Sequence, residues 1–410
     1  MSTTLDRPSS FAAAAAAPAT TSSATATNVA TSKWFIATIL LSAAGIVVGL
    51  LWDISWHMTI GRDTFWSPPH MVEYVAGVVA GLSCGYVVLR TTFAGSASDK
   101  AATVKYWGFS APLGAWITIW GTFTMLLSAP FDDWWHNAYG LDVKIISPPH
   151  MVLLAGMLGI MTGALVLTAS AQNRTVGKPG ERRTAWMYAA SGGVLCFILA
   201  CTTLEYSWPN AQHLPTYYQI WAAVFPVMLV GYAVAGKLRW PATAAAFCFM
   251  AMWFLMGVTL RQVEAQPLLA PIANPRTYMW PPYFPAWLVV PAFGIDLVLQ
   301  RFRNRNAWLV AALMGVAFVV LFFAVQWPWS SFMLSPAARN GVFNGGEFPY
   351  TARLGPWITS FWSGPRGSRI TGESMTTMLW VQGLGIAMVL GTLSSRLGLA
   401  WGDWMSRVKR

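Results

Sequence analysis

Ten apolar runs recur along this chain of 410 residues, each about the 20 residues that a helix needs to cross the hydrocarbon core of a bilayer. They fall near residues 34–52, 71–90, 107–128, 151–170, 184–203, 217–236, 241–260, 283–300, 307–327 and 377–396. A backbone inside lipid has to satisfy its own N–H and C=O groups, which a helix does within one segment. The expected fold is therefore all-α, a polytopic helical membrane protein of about ten transmembrane helices. Composition agrees: 10% of the residues are charged, where soluble proteins carry roughly 25%.

The formal net charge of +11 does not point to nucleic acid, because the cations fall in alternate loops. Arg90, Lys100 and Lys105 form one group, and Arg174, Lys178, Arg182 and Arg183 the next. Lys237 and Arg239, then Arg301, Arg303 and Arg305, then Arg407, Lys409 and Arg410 continue the series. Basic loops stay on the cytoplasmic side. The chain is thus expected to be a multi-pass protein of the cell (inner) membrane, with both termini cytoplasmic and the bilayer as its first partner.

Residues 1–33, mostly Ala, Thr, Ser and Pro, read as a disordered cytoplasmic tail. Ala12 to Ala17 is too short and too weakly apolar for the core of a signal peptide. Cys84, Cys196, Cys201 and Cys248 all lie within apolar runs, as buried inert thiols do. Two long loops on the outer side, about 261–282 and 328–376, are rich in Pro, Gly and Trp. They cap that face, dock a partner, or lie as aromatic belts at the interface.

Two stretches on this scaffold share one pattern. They are WDISWHMTIGRDTFWSPPHMVEY (Trp52 to Tyr74) and FDDWWHNAYGLDVKIISPPHMVLL (Phe131 to Leu154). Asp53, Trp56, His57, Gly61, Asp63, Ser67 and His70 match Asp132, Trp135, His136, Gly140, Asp142, Ser147 and His150, with one extra residue in the second copy. Four of the five histidines fall here. The chain accordingly divides into the tail, a duplicated two-helix unit over 34–172 (34–91 and 106–172), and a C-terminal bundle over 184–410. A parallel duplication puts equivalent groups on the same side of a bundle, here the periplasmic or outer face.

Asp53 and His57 are four apart and share a helix face, as do Asp132 and His136. Pro130 is expected to break the third span just before the second pair. Ser-Pro-Pro-His reads as a helix start, with Ser67 or Ser147 as N-cap. His70 and His150 then sit in the opening turns of spans two and four. Two imidazoles and one carboxylate form a ligand set for a redox-capable transition metal with open positions. An ionisable group at membrane depth costs about 2.5–3.5 kcal/mol at the centre, and a bound cation offsets that cost. Asp53, His57 and His70 are the first candidate set, and Asp132, His136 and His150 the second. Asp63 and Asp142 either orient the imidazoles from behind, cap the loop, or pair with Arg62 or Lys144. Glu73, replaced by Leu153 in the second copy, is a proton relay or an auxiliary ligand. Trp56 and Trp135 read as interfacial anchors, and His213, beside Glu205, as structural.

The stretch Trp56 to Tyr74 resembles the signature of the C subunit of the copper membrane monooxygenases, the particulate methane and ammonia monooxygenase family. That family uses Asp, His four residues on and His thirteen further, as Asp53, His57 and His70 are spaced. Its neighbouring site uses Asn, His four on and His fourteen further. Asp132, His136 and His150 match the spacing, with Asp in place of Asn. The resemblance covers roughly residues 34–172 and leaves 184–410 unaccounted for; nothing here is similar to the family's soluble copper-binding domain. It implies copper as cofactor and oxidation of methane, ammonia or a short hydrocarbon by O2 at Asp53, His57 and His70. It also implies an electron donor and A- and B-like subunits, or a homo-oligomer, as partners. Non-haem iron or zinc suits the same ligands. A non-enzymatic alternative is copper transport or delivery, for which Met71, Met151, Met157 and Met161 offer a thioether series in spans two and four.

Overall fold

The computed structural model describes residues 29–61, 66–140, 147–204, 207, 212, 214–266, 277–338, 340, 342–343 and 377–410. Eleven α-helices lie among them. In chain order these are α1 (Lys33–Thr59), α2 (Pro68–Ala94), the short α3 (Ala97–Ala101), α4 (Leu113–Tyr139), α5 (Pro148–Thr175) and α6 (Glu181–Cys201). Then come α7 (Pro215–Ala235), α8 (Pro241–Leu260), α9 (Val289–Phe302), α10 (Ala307–Leu334) and α11 (Thr377–Met405). Between α3 and α4 a small antiparallel hairpin pairs β1 (Val104–Tyr106) with β2 (Phe109–Ala111). The protein is an all-α, multi-pass membrane protein: nine of the described helices are long and apolar enough to cross a bilayer.

The span expected near 283–300 is different. α9 has 14 residues, about 21 Å of helix, which falls short of a core about 30 Å thick. Pro281, Pro282 and Pro285 precede it; each lacks an N–H and biases the residue before it away from helix. Residues 279–286 are buried yet non-helical. Pro130 has the opposite outcome. It lies inside α4, which runs unbroken to Tyr139, so the expected break does not occur. Membrane helices tolerate proline where neighbouring groups satisfy the freed backbone. At the start of the chain, residues 29–31 form a 3-10 turn with Ala30 buried, and Ser32 Oγ accepts the Phe35 N–H at 3.1 Å. Packed chain therefore begins before the expected end of the tail; residues 1–28 lie outside the described residues.

Small residues set the helix contacts, since they let backbones approach closely. A Cβ on Gly121 of α4 would come within 2.5 Å of the Ile160 N of α5, and Gly114 faces Gly163 along the same seam. Gly45 and Gly49 of α1 face Ala76 and Glu73 of α2. Gly315 and Gly391 bring α10 onto α11. A continuous hydrophobic cluster runs from Ile39 and Ile46 (α1) through Ile160 (α5), Phe197 (α6), Phe225 (α7) and Phe249 (α8) to Phe318 (α10). The two halves of the chain share that core.

Basic segments meet at one end of the bundle. Arg174 Nη1 donates to the Lys409 carbonyl at 2.8 Å, and Asn173 Nδ2 to the Met405 and Val408 carbonyls at 2.8 Å. Gln172 Oε1 accepts the Lys237 N–H at 3.0 Å, and Gln300 Nε2 donates to the Arg239 carbonyl at 2.9 Å. The opposite end carries the last turns of α1 and α4 and the first turns of α2 and α5.

Candidate metal centre

α1 continues past its most apolar stretch to Thr59, so Asp53 and His57 stand one turn apart on one face. α2 opens on Pro68 and Pro69, which places His70 third in the helix. Ser67 and Ser147 occupy the cap positions, but neither side chain makes the expected cap hydrogen bond. An N-cap hydroxyl accepts from the second or third helical N–H, and here the second residue is proline. The serine carbonyls accept the first helical hydrogen bonds, from Met71 N at 3.1 Å and Met151 N at 2.9 Å.

Two imidazoles converge on one carboxylate oxygen. His57 Nε2 lies 3.4 Å and His70 Nε2 3.0 Å from Asp53 Oδ1, with ring centroids 6.0 Å apart. One ligand atom from each of Asp53, His57 and His70 lies within 4.8 Å of the other two. The two carboxylate–imidazole separations, 3.4 and 3.0 Å, suit ligands of a single ion at metal–ligand bonds of about 2.0–2.2 Å. The Asp53 side chain is 15% exposed and that of His57 40%, so one imidazole opens outward and the carboxylate sits behind it.

The second set is wider. His136 Nε2 lies 3.4 Å from Asp132 Oδ2, and His150 Nε2 3.9 Å from Oδ1, so each imidazole approaches a different oxygen. Among the described residues, Asp53, His57 and His70 are the group whose ligand atoms all fall within 4.8 Å. His136 Nδ1 lies 3.3 Å from the Gly140 carbonyl. A proton on Nδ1 there leaves the Nε2 lone pair, on the side facing Asp132, for a metal ion, which is how outer contacts orient a ligating histidine. The glycine matched in both copies has a backbone cause: Gly61 has φ +101° and Gly140 φ +80°, a region that costs residues with a Cβ.

The two sets belong to one electrostatic cluster. Asp53 interacts with His57 and His70 and also with His150 of the other hairpin. Tyr74 lies between them, interacting with Glu73, Asp132 and Asp53, while its hydroxyl sits 3.2 Å from Ser128 Oγ on α4. Glu73, one turn beyond His70, is 1% exposed. Its Oε1 has no hydrogen-bond partner among the described residues, and it interacts with Asp53 and His70. A Cβ on Gly49 would collide with Glu73 Cγ, so the glycine makes the space that the carboxylate fills.

Sequence reasoning did not find Tyr74, Ser128 or Gly49. The signal for the first was present in the replacement of Glu73-Tyr74 by Leu153-Leu154 in the other copy. Trp56, half-buried in the last turn of α1, packs against the cluster of Ile60, Leu260, Ala265 and Met279. The loop after α8 supplies part of that contact, and the Trp280 N–H donates to Thr59 Oγ1 at 2.9 Å. The described part of this loop therefore caps α1 next to the site. Asp63 and Asp142, their possible partners Arg62 and Lys144, His213 with Glu205, residues 267–276 and most of 328–376 lie outside the described residues.

Comparison of the chain with models of known families, with curated proteins and with solved structures gave no match.

Proposed function

We propose that this chain binds copper at Asp53, His57 and His70 and is the C-like subunit of a copper-dependent membrane monooxygenase. Its substrate is a small molecule such as methane, ammonia or a short hydrocarbon, oxidised with O2. The observation that carries the proposal is the convergence of two imidazole nitrogens and one carboxylate oxygen within 4.8 Å. The donor set fits the ion: neutral imidazoles and a single carboxylate hold a redox-capable metal and leave coordination positions open. Non-haem iron takes the same donors, and metal analysis decides between them.

Copper held there supplies the one-electron chemistry with dioxygen that the protein's own side chains lack. The chain's residues do the rest. Asp53 brings the negative charge that balances a cation away from bulk water. His70, fixed in the first turn of α2, and His57, on the more open side, hold the ion from two helices. Below them Glu73 and the packed faces of α1 and α2 exclude water, which protects a reactive centre from side reactions. Asp132, His136 and His150 form a second, looser site whose charge interacts with the first.

The positive-inside rule supports a cytoplasmic basic end of the bundle and, with it, both sites at the periplasmic or outer face. The exposed side chains Val75, Val79, Leu82 and Leu89 of α2 then face lipid or companion A- and B-like subunits. Oxygenation is preferred to copper transport because the thioether series stops below Met71 and Met151: Met157 and Met161 are packed in the core, 1% and 0% exposed. The test compares O2-dependent substrate oxidation with metal flux in vesicles. Oxidation that is lost in His70→Ala while membrane insertion persists supports an oxygenase. Metal flux without oxidation overturns it in favour of transport.

A further inference from the structure

We propose that Arg396 of α11 and Trp308 of α10 form a headgroup site for one anionic phospholipid, taken from the leaflet at the basic end of the bundle. The site stands apart from the metal centre and does not depend on it.

Arg396 lies within the apolar stretch Trp380–Met405, where a charge is costly unless something opposes it. Gly315 and Gly391 bring α10 and α11 together, which sets the start of α10 beside Arg396. The guanidinium carbon sits 5.5 Å from the centre of the Trp308 ring, a contact that covers one side of the cation. Its Nε is buried with no hydrogen-bond partner among the described residues. No carboxylate among them pairs with Arg396, and the ion pairs found there all involve histidine. The helices packed on α11, α7 and α10, contain no acidic residue. Asp296 of α9 is occupied with the Ala242 and Thr243 N–H groups. Asp403, further along α11, is exposed. Arg303 and Arg305, exposed in the turn before α10, add positive charge. An anion therefore complements this corner, and the chain does not supply it.

The surface beside the charge suits an acyl chain. Ile386, Val389, Leu393 and Arg396, spaced by three and four, share one face of α11, and the three apolar side chains are exposed. Above Leu393 that stripe enters an open groove of about 520 Å3 lined by Gln382, Gly385, Ile386, Val389 and Leu390. A Cβ on Gly385 would meet nothing within 4 Å, so this side of the helix is left unfilled. The planar guanidinium fork matches phosphate oxygens, and the lipid tail follows the stripe into the groove. Basic pockets between membrane helices hold anionic headgroups in this way. A soluble anion satisfies the charge but not the apolar path.

The experiment counts bound lipid on the full-length protein by native mass spectrometry from detergent. Dioleoyl phosphatidylglycerol is titrated against dioleoyl phosphatidylcholine, with excess inorganic phosphate as a separate arm. The first phosphatidylglycerol should bind about fivefold or more tighter than phosphatidylcholine, the gain from one arginine at an anionic lipid. Inorganic phosphate should not displace it. The preference should vanish in Arg396→Gln and persist in Arg90→Gln, a cation at the same end of the bundle on α2. Equal binding of the two lipids by the wild type overturns the proposal and leaves the cation to a partner protein's carboxylate. A preference that survives Arg396→Gln, or that Arg90→Gln removes as fully, overturns it as well. Displacement by inorganic phosphate overturns it in favour of a soluble anion. Should Arg396→Gln fail to fold, Arg396→Lys keeps the charge and loses the fork. That variant should cut the preference severalfold, and an unchanged preference contradicts the proposal.

Discussion

Asp53 offers a single oxygen, Oδ1, to both imidazoles of the first hairpin, whereas Asp132 divides its two oxygens between His136 and His150. The matched residues thus form a tight site and a loose one, and the neighbours explain part of the difference. Gly49 faces Glu73 under the first site, and its replacement tests that packing. Gly49→Ala forces the new methyl onto Glu73 Cγ and toward the Glu73 N at 3.1 Å. Overpacking of this kind costs about 1–3 kcal/mol, so the unfolding midpoint in detergent should fall and the first ion should bind more weakly. Gly45→Ala, whose methyl meets Ala76 Cβ at 3.2 Å, should be much milder. Gly140→Ala asks a residue with a Cβ to hold φ +80°, ψ 176°, a region essentially reserved for glycine, at a cost of about 1–3 kcal/mol. Because the Gly140 carbonyl faces His136 Nδ1, that variant should loosen the second ion in a metal titration and leave the first in place.

At the scale of the helix, the second site depends on the seam between α4 and α5, where Gly121 meets Gly156, Gly159 and Ile160. Gly121→Val inserts a branched side chain into backbone contact. It should lower the unfolding midpoint and release the second ion before the first, read by thermal denaturation and metal stoichiometry. Helix type was legible in the sequence, because apolar length acts locally. Pro130 and Pro281–Pro282 were not, and the reason is physical. A hydropathy run counts side chains, while a proline's effect depends on which neighbours satisfy the carbonyl it frees. Inside α4 the helix continues; before α9, three prolines close together prevent it from forming.

Over the whole molecule, the site is held by contacts that no local pattern reveals. Tyr74 reaches Ser128 across 54 residues, and Trp280 reaches Thr59 across 221. The approach of two imidazoles to each carboxylate was legible because helical periodicity fixes Asp53 beside His57, and the repeated Ser-Pro-Pro-His fixes a helix start. The residues that support them come from elsewhere in the chain, which is why the C-terminal half read as unrelated to the site. Thr59→Val tests that link. Removing a buried hydrogen bond costs about 1–3 kcal/mol, so the unfolding midpoint should drop and the cap on α1 should become more open to hydrogen exchange.

The most direct measurement is the copper content of the purified full-length protein, wild type beside the His57→Ala and His70→Ala variants, all prepared in parallel. Bound copper in the wild type, with one ion fewer in each variant that still inserts and folds, is the predicted result. Equal metal in all three proteins, or none in the wild type after copper loading, would contradict it.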